Sequence, residues 1–135
     1  MMGSVSEVSK FFEHEKRQDK LVEVIEQELP EIKKKRVKPL CRMRWIERHD
    51  ALKVFVDLYP AIVVALHDIA YKEGSISWNR ETIDANGLLS AVEKFYFLLT
   101  LILVFNVLSY IKGLTVLLQQ QSLDIVQGIK FVQEV

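Results

Sequence analysis

A run of 17 residues without a formal charge, from Phe95 to Ile111, limits what this chain can fold into more than any other feature. It reads FYFLLTLILVFNVLSYI and lies between Lys94 and Lys112. That is the short end of the roughly 17–25 residues that a helix needs to cross a bilayer. Three polar residues interrupt it: Thr100, Asn106 and Ser109. Because an unpaired amide in hydrocarbon is costly, we expect the central helix of a helical core, with a membrane span as the less favoured alternative.

The rest of the chain carries apolar residues at helical spacing, so it can supply the faces that cover this run. Expected helical segments lie at residues 4–13, 21–29, 43–59, 62–69, 88–111, 114–121 and 123–135. No strand-like alternation of useful length and no internal repeat is present, and glycine and proline are few. We therefore predict an all-α protein of five to seven helices that forms one helical region over residues 1–135.

Four residues are expected to set the helix boundaries. Ser4 is available as an N-cap for the first helix, and Pro30 limits the second. Pro60 either kinks one long helix or occupies the first turn of another. Gly113 is expected to break the chain after the apolar run, and residues 72–79 (KEGSISWN) are the clearest loop.

A dense basic segment is hidden by the overall charge balance. The chain has 18 basic and 18 acidic side chains, yet residues 33–48 hold eight Lys or Arg and one acid. This local charge of +7 favours a local anionic contact over a uniformly basic surface. Lys33, Lys34, Lys35, Arg36 and Lys38 resemble a nuclear-localisation or phosphate-contact tract, and a solvated, flexible connector over residues 31–39 explains them equally well.

Arginines surround a tryptophan at the end of this segment. Arg42, Arg44 and Arg48 could pair with phosphates while Trp45 stacks on an exposed base. Alternatively, Trp45 and its neighbour Ile46 anchor a helix in the core while the arginines face water. The residues alone favour this second interpretation.

No arrangement of residues indicates an enzyme. His67 and Asp68 are adjacent on a helix and are expected to point apart, and the same holds for His49 and Asp50. Cys41 is the only cysteine, so neither a zinc site nor an intrachain disulfide is supported, and the N-terminus lacks the order of a signal peptide. We expect an intracellular protein with no catalytic residues, no metal and no cofactor.

Three blocks of the sequence resemble hAT-type (hobo/Activator/Tam) transposase-derived proteins. Residues 41–66, CRMRWIERHDALKVFVDLYPAIVVAL, resemble the C-x-x-R-W-[VI]-E-R-x-[DE]-[AG] block of that family. Residues 4–40 and 87–135 are similar to the segments that precede and follow that block. The similar members are the zinc finger MYM-type-like and repressor of the inhibitor of protein kinase-like proteins, and the blocks occur in the same order.

In that family a large helical insertion splits a ribonuclease H-like core, whose three metal-binding carboxylates lie outside the insertion. The resemblance implies that this chain is the helical insertion region of such an interrupted fold, with the core strands absent. The family's C-x-x-H-x-L-N-L motif and its zinc-finger or BED-type modules have no counterpart here. Arg44 and Trp45 match an R-W pair whose tryptophan acts on DNA at the transposon end, near the flipped base or hairpin.

The resulting hypothesis is a non-catalytic fragment of a hAT-derived protein that contacts DNA through residues 33–48. The candidate contacts are Lys33, Lys34, Lys35, Arg36, Arg42, Arg44, Trp45 and Arg48. The alternative is a helical protein-interaction or dimerisation module that does not bind nucleic acid. We expect a nuclear location, or a cytoplasmic one as the alternative, with no membrane attachment and no small-molecule substrate.

Overall fold

The computed structural model describes residues 1–40, 45–71, 79–119, 130, 132 and 133. The side chains at positions 45, 46, 79 and 119 are outside this description. Within the described part of the chain there are five longer helices and no strand. The helices are α1 (Met2–Phe11), α2 (Glu15–Glu28), α3 (Trp45–Tyr71), α4 (Asn79–Val92) and α5 (Phe95–Gln119). The prediction of an all-α protein is confirmed.

Several predicted boundaries differ from the observed ones. The first helix begins at Met2, and Met1 rather than Ser4 is its N-cap, because the backbone N–H of Val5 already bonds to the Met1 carbonyl at 3.0 Å. The second helix ends before Pro30, as predicted. The helix α5 runs through Gly113, so the predicted break there is wrong. A glycine inside a helix costs only about 1 kcal/mol, which its neighbours in a long apolar helix can offset.

Two other predictions lie wholly or largely outside the described residues. The expected loop at residues 72–79 falls there except for Asn79, where α4 begins. The last expected segment, residues 123–135, also falls there except for three isolated positions.

The long helix α3, and not the apolar run, forms the centre of the protein. It packs against α2, α4 and α5. Its inward side chains are fully buried, among them Leu52, Phe55, Leu58, Ile62 and Leu66. Pro60 lies inside this one continuous helix on its exposed side, so it does not begin a second helix.

The prediction that Leu88–Ile111 is a central rod is therefore wrong in two respects. The chain breaks between Val92 and Phe95, which separates α4 from α5. In addition, α5 packs mainly against α3 and buries a single face through Phe97, Leu101 and Leu108. Small buried alanines on α3, such as Ala61 and Ala65, allow several neighbours to approach it closely, and α5 offers no such set.

The helices α3 and α4 are antiparallel neighbours in a fixed register. The Tyr59 hydroxyl donates to the Val92 carbonyl at 3.0 Å, and the Thr82 hydroxyl donates to the Ile69 carbonyl at 3.3 Å. The burial of Tyr59 raises the pKa of its phenol. Ala85 lies between these two ties and is completely buried.

Candidate functional site

The basic segment after α2 follows a defined path over the protein surface, and we call residues 31–40 the basic strap. The strap is not helical, and most of its residues are exposed. Its apolar members Ile32, Val37 and Leu40 nevertheless pack against the core. The strap is therefore seated on the helices along its length.

Two buried polar side chains bind the backbone of the strap. Gln18 of α2 donates from Nε2 to the Lys35 carbonyl at 2.5 Å, and Ser9 of α1 donates from Oγ to the Lys38 carbonyl at 3.1 Å. Both side chains are among the buried polar groups, so these bonds also satisfy their own donors. Because the strap is bound through its carbonyls, the charged ends of its side chains remain available to solvent.

Ser9 and Gln18 were not among the predicted site residues, although the sequence contains a signal for them. Gln18 lies three and seven residues before Leu21 and Ile25, which are buried on α2. Ser9 lies four residues after Val5 and three before Phe12, which are also buried. A polar residue at an apolar-face position is expected to have a partner, and the partner here is the strap.

The predicted strap cations differ in how much of their charge is already paired. Lys34 Nζ lies 3.7 Å from Asp57 Oδ2 of α3, and Lys35 forms an ion pair with Glu26 of α2. Lys33 and Arg36 are exposed and form no ion pair with any residue that the structure describes. Of the four, these two have the more open charge toward an external anion.

The predicted arginine and tryptophan contacts are only partly visible. Arg42 and Arg44 lie outside the described residues, and Trp45 begins α3 with its side chain outside the description. Arg48 is half-buried and lines a shallow cleft between the start of α1 and the end of the strap. The cleft also contains Lys10 and Leu40, so a cation of α1 that the sequence analysis did not select lies in the same cleft as Arg48.

A polar cluster links α3 to α5, and its geometry contradicts the prediction for His49 and Asp50. His49 and Asp50 were expected to point apart, yet His49 Nδ1 lies 3.3 Å from Asp50 Oδ1. Lys112 of α5 donates to the same Asp50 oxygen at 2.8 Å. Because the Asp50 side chain is still 41% exposed, its carboxylate lies at the edge of the interface between α3 and α5.

His49 makes a second contact across the same interface. Its Nε2 is 2.9 Å from Ser109 Oγ, and its ring stacks on that of Phe105 with centroids 5.2 Å apart. Ser109 donates its single hydroxyl hydrogen to the Phe105 carbonyl at 2.8 Å. The hydroxyl therefore lies between the Phe105 carbonyl and His49 Nε2. Together with the bond from Lys112 to Asp50, this contact connects α5 to α3.

Removing the Asp50 charge is expected to make stability less dependent on pH in acid. The hydrogen bond from Lys112 is the main reason that the pKa of Asp50 lies below its ordinary value of 3.8, although burial opposes the shift. A lowered pKa in the folded state stabilises the protein above the unfolded value, and this stabilisation is lost as pH falls through the folded value. Asp50→Asn should therefore lower the thermal midpoint at pH 7, and the difference from wild type should begin to shrink as pH falls below about 4.

The measurement is the thermal midpoint by circular dichroism from about pH 7 to about pH 3. Asp19→Asn is the matched control, because it removes an exposed carboxylate of α2. A difference between wild type and Asp50→Asn that stayed constant down to the lowest pH would contradict the assignment.

The chain is similar to two curated proteins, both named 52 kDa repressor of the inhibitor of the protein kinase. The mouse and human proteins are each 34% identical to it over 130 residues, which is 92% of this chain. No family model matches the chain, and no solved structure matches it. The chain spans 17% of the length of these relatives, so it is homologous to one segment of the 52 kDa repressor proteins.

Proposed function

We propose that this chain is a non-catalytic helical module of a hAT-derived, transposase-like protein and that its basic strap contacts the DNA backbone. The order of the three sequence blocks and the homology to the 52 kDa repressors support the first part. One observation carries the second part: Gln18 and Ser9 hold the strap by its carbonyls and leave its cations exposed. A pre-positioned cation loses less conformational entropy on binding phosphate than one on an unordered chain.

The contact surface begins in the strap and continues into α3. Lys33, Arg36 and Lys38 supply its exposed charges, and Arg48 stands beside the end of the strap. Lys34 and Lys35 are expected to contribute less, because a phosphate would have to compete with Asp57 and Glu26. Arg42, Arg44 and Trp45 follow directly in the sequence and complete the proposed surface.

In this proposal residues 1–135 correspond to the helical insertion of an interrupted ribonuclease H-like fold. The catalytic carboxylates of such a fold would lie outside the insertion, so the module is expected to need neither a metal nor another cofactor. A nuclear location would follow from contact with DNA, with a cytoplasmic location as the alternative. Contact with the phosphate backbone alone fixes position and carries no sequence preference.

The test is DNA binding by a triple variant, Lys33→Glu, Arg36→Glu and Lys38→Glu, measured by fluorescence anisotropy with duplex and hairpin DNA. We expect the dissociation constant to rise at least about tenfold at roughly 0.1 M salt, because charge reversal replaces attraction by repulsion. The slope of log K against log salt should also fall by about 0.9 for each phosphate that the variant no longer neutralises.

The control variant carries Arg80→Glu, Lys94→Glu and Lys130→Glu, three exposed cations outside the strap. It changes the net charge by the same amount, so it separates a local effect of the strap from a general weakening of attraction. Equal affinities and equal salt slopes for wild type and the strap variant would contradict the proposed DNA contact.

A second candidate function is a helical protein-interaction module. It is favoured by the outer face of α5, where Tyr96, Leu103 and Tyr110 are exposed among other large apolar side chains. Apolar patches larger than a few hundred Å² usually mark interaction sites in soluble proteins.

A further inference from the structure

Most of the large apolar side chains that are exposed among the described residues lie on α5. Two helical stretches, Glu47–Tyr71 and Phe95–Leu118, are long and apolar enough to cross a bilayer. The first is 44% buried over its apolar window and belongs to the core helix α3, whereas the second is only 11% buried at a mean hydropathy of 2.0. Because α5 is this apolar and this exposed, we expect another molecule to cover its exposed side.

The free side of α5 carries a regular stripe, which we call the α5 seam. Its members are Tyr96, Leu99, Leu103, Asn106, Tyr110, Gly113 and Leu117. Their spacing alternates between three and four residues throughout, the heptad spacing that a partner helix requires. At about 100° per residue the seam lies opposite Phe97, Leu101 and Leu108, which face α3.

The single amide in the seam indicates which partner it fits. Asn106 is exposed and lies next to the midpoint of α5, with apolar seam residues on both sides. Against a wholly apolar partner its amide would be desolvated without a hydrogen bond, which is costly. A second copy of α5 can pair with the first about a two-fold axis that lies between the two helices. Because Asn106 is close to the middle of α5, the two Asn106 side chains are then near each other in both a parallel and an antiparallel pair. The two amides can then bond to each other.

Gly113 supports close pairing of two helices. A Cβ added at this position would meet nothing within 4 Å among the residues that the structure describes, so the glycine is not needed to accommodate any of them. A small residue in a helix interface lets a large side chain of the partner fit against the backbone. In an antiparallel pair centred on Asn106, Gly113 would oppose Leu99 of the other copy.

We propose that the α5 seam is a self-association surface and that two copies of this chain pair through it. The proposal specifies the partner for the second candidate function and is independent of the DNA contact. The helix is long enough for this, since 25 residues extend about 37 Å.

Lipid is the competing occupant, and the inner face of α5 argues against it. Ser109 and Lys112 bind the polar pair His49 and Asp50 of α3. The outward side of α3 in turn forms ion pairs, through Asp68 with Lys20 at 3.2 Å and through Asp57 with Lys34. If α5 crossed a bilayer, α3 and its charged side chains would also have to enter the hydrocarbon, which has a high free-energy cost.

The test is the molar mass of the full chain by sedimentation equilibrium over a wide concentration range. Wild type should form a reversible dimer. Leu103→Glu should weaken association by more than about tenfold, because it places a charge in the centre of the seam. Ile102→Glu is the matched control: Ile102 is 56% exposed and Leu103 is 55% exposed, but Ile102 lies about 100° away around the helix. It should retain the dimer, and both variants should keep the helical circular dichroism of wild type.

Asn106→Leu is a second test variant, and its expected effect on association is opposite to that of Leu103→Glu. Removing the only seam amide should strengthen association and replace the single dimer by a mixture of larger species, because the register is no longer specified. A monomeric wild type overturns the proposal, as does equal weakening by Leu103→Glu and Ile102→Glu. Flotation of wild type with phosphatidylcholine vesicles that Leu103→Glu abolishes would identify lipid as the occupant instead. If the wild type is monomeric but binds DNA, the self-association proposal is wrong and the proposed DNA contact is unaffected.

Discussion

Phe55→Ala is expected to lower the free energy of unfolding by about 3–5 kcal/mol, the range for removing a fully buried aromatic ring. Phe55 has no exposed surface and lies on the central helix α3. Its ring packs edge-on against Phe97 of α5 at 6.0 Å and near Tyr59 at 6.4 Å. Truncation to alanine removes these ring contacts and leaves a cavity in the core. Urea denaturation followed by circular dichroism measures the change.

Phe95→Ala is the matched control, since it makes the same chemical change on the helix that the sequence suggested as central. Phe95 is 74% exposed, so its removal should cost less than about 0.5 kcal/mol at concentrations where the chain is monomeric. Similar destabilisation by the two variants would mean that α5 lies in the core, contrary to this structure.

Ala85→Leu is expected to destabilise the protein by about 1–3 kcal/mol through overpacking. Ala85 is fully buried on α4, between the two hydrogen bonds that fix α4 against α3. Three additional heavy atoms at this point would push the helices apart or distort the bonds made by Tyr59 and Thr82. Thermal and urea unfolding should both report the lower stability.

Gly87→Ala, two residues along the same helix, should have the opposite sign. A Cβ at Gly87 meets nothing within 4 Å, so the substitution adds no clash. It should stabilise the protein by about 0.5–1 kcal/mol, because alanine loses less conformational freedom than glycine in a helix. Stabilisation by Ala85→Leu would contradict the close approach of α3 and α4.

The candidate site could be predicted only as a set of charges. The density of Lys and Arg between residues 33 and 48 is visible in the sequence, and it directs attention to the right segment. The path of the strap is not visible, because it depends on hydrogen bonds from Ser9 and Gln18, which are distant in sequence from their partners. The acids that pair with Lys34 and Lys35 come from α3 and α2 for the same reason.

The helical character of the protein and the approximate positions of its helices follow from the amino-acid sequence, since a 3.6-residue apolar period is a local property. Which helix is central depends instead on contacts between residues that are distant in sequence. The helix α5 is apolar on all sides, as a core helix must be. Whether a helix is buried also depends on how many other helices can pack against it. The small residues and wide apolar arc of α3 allow three neighbours, and α5 keeps one face free. Adjacency on a helix likewise predicted that His49 and Asp50 point apart. In the folded protein both lie at the interface with α5, where Lys112 bonds to Asp50.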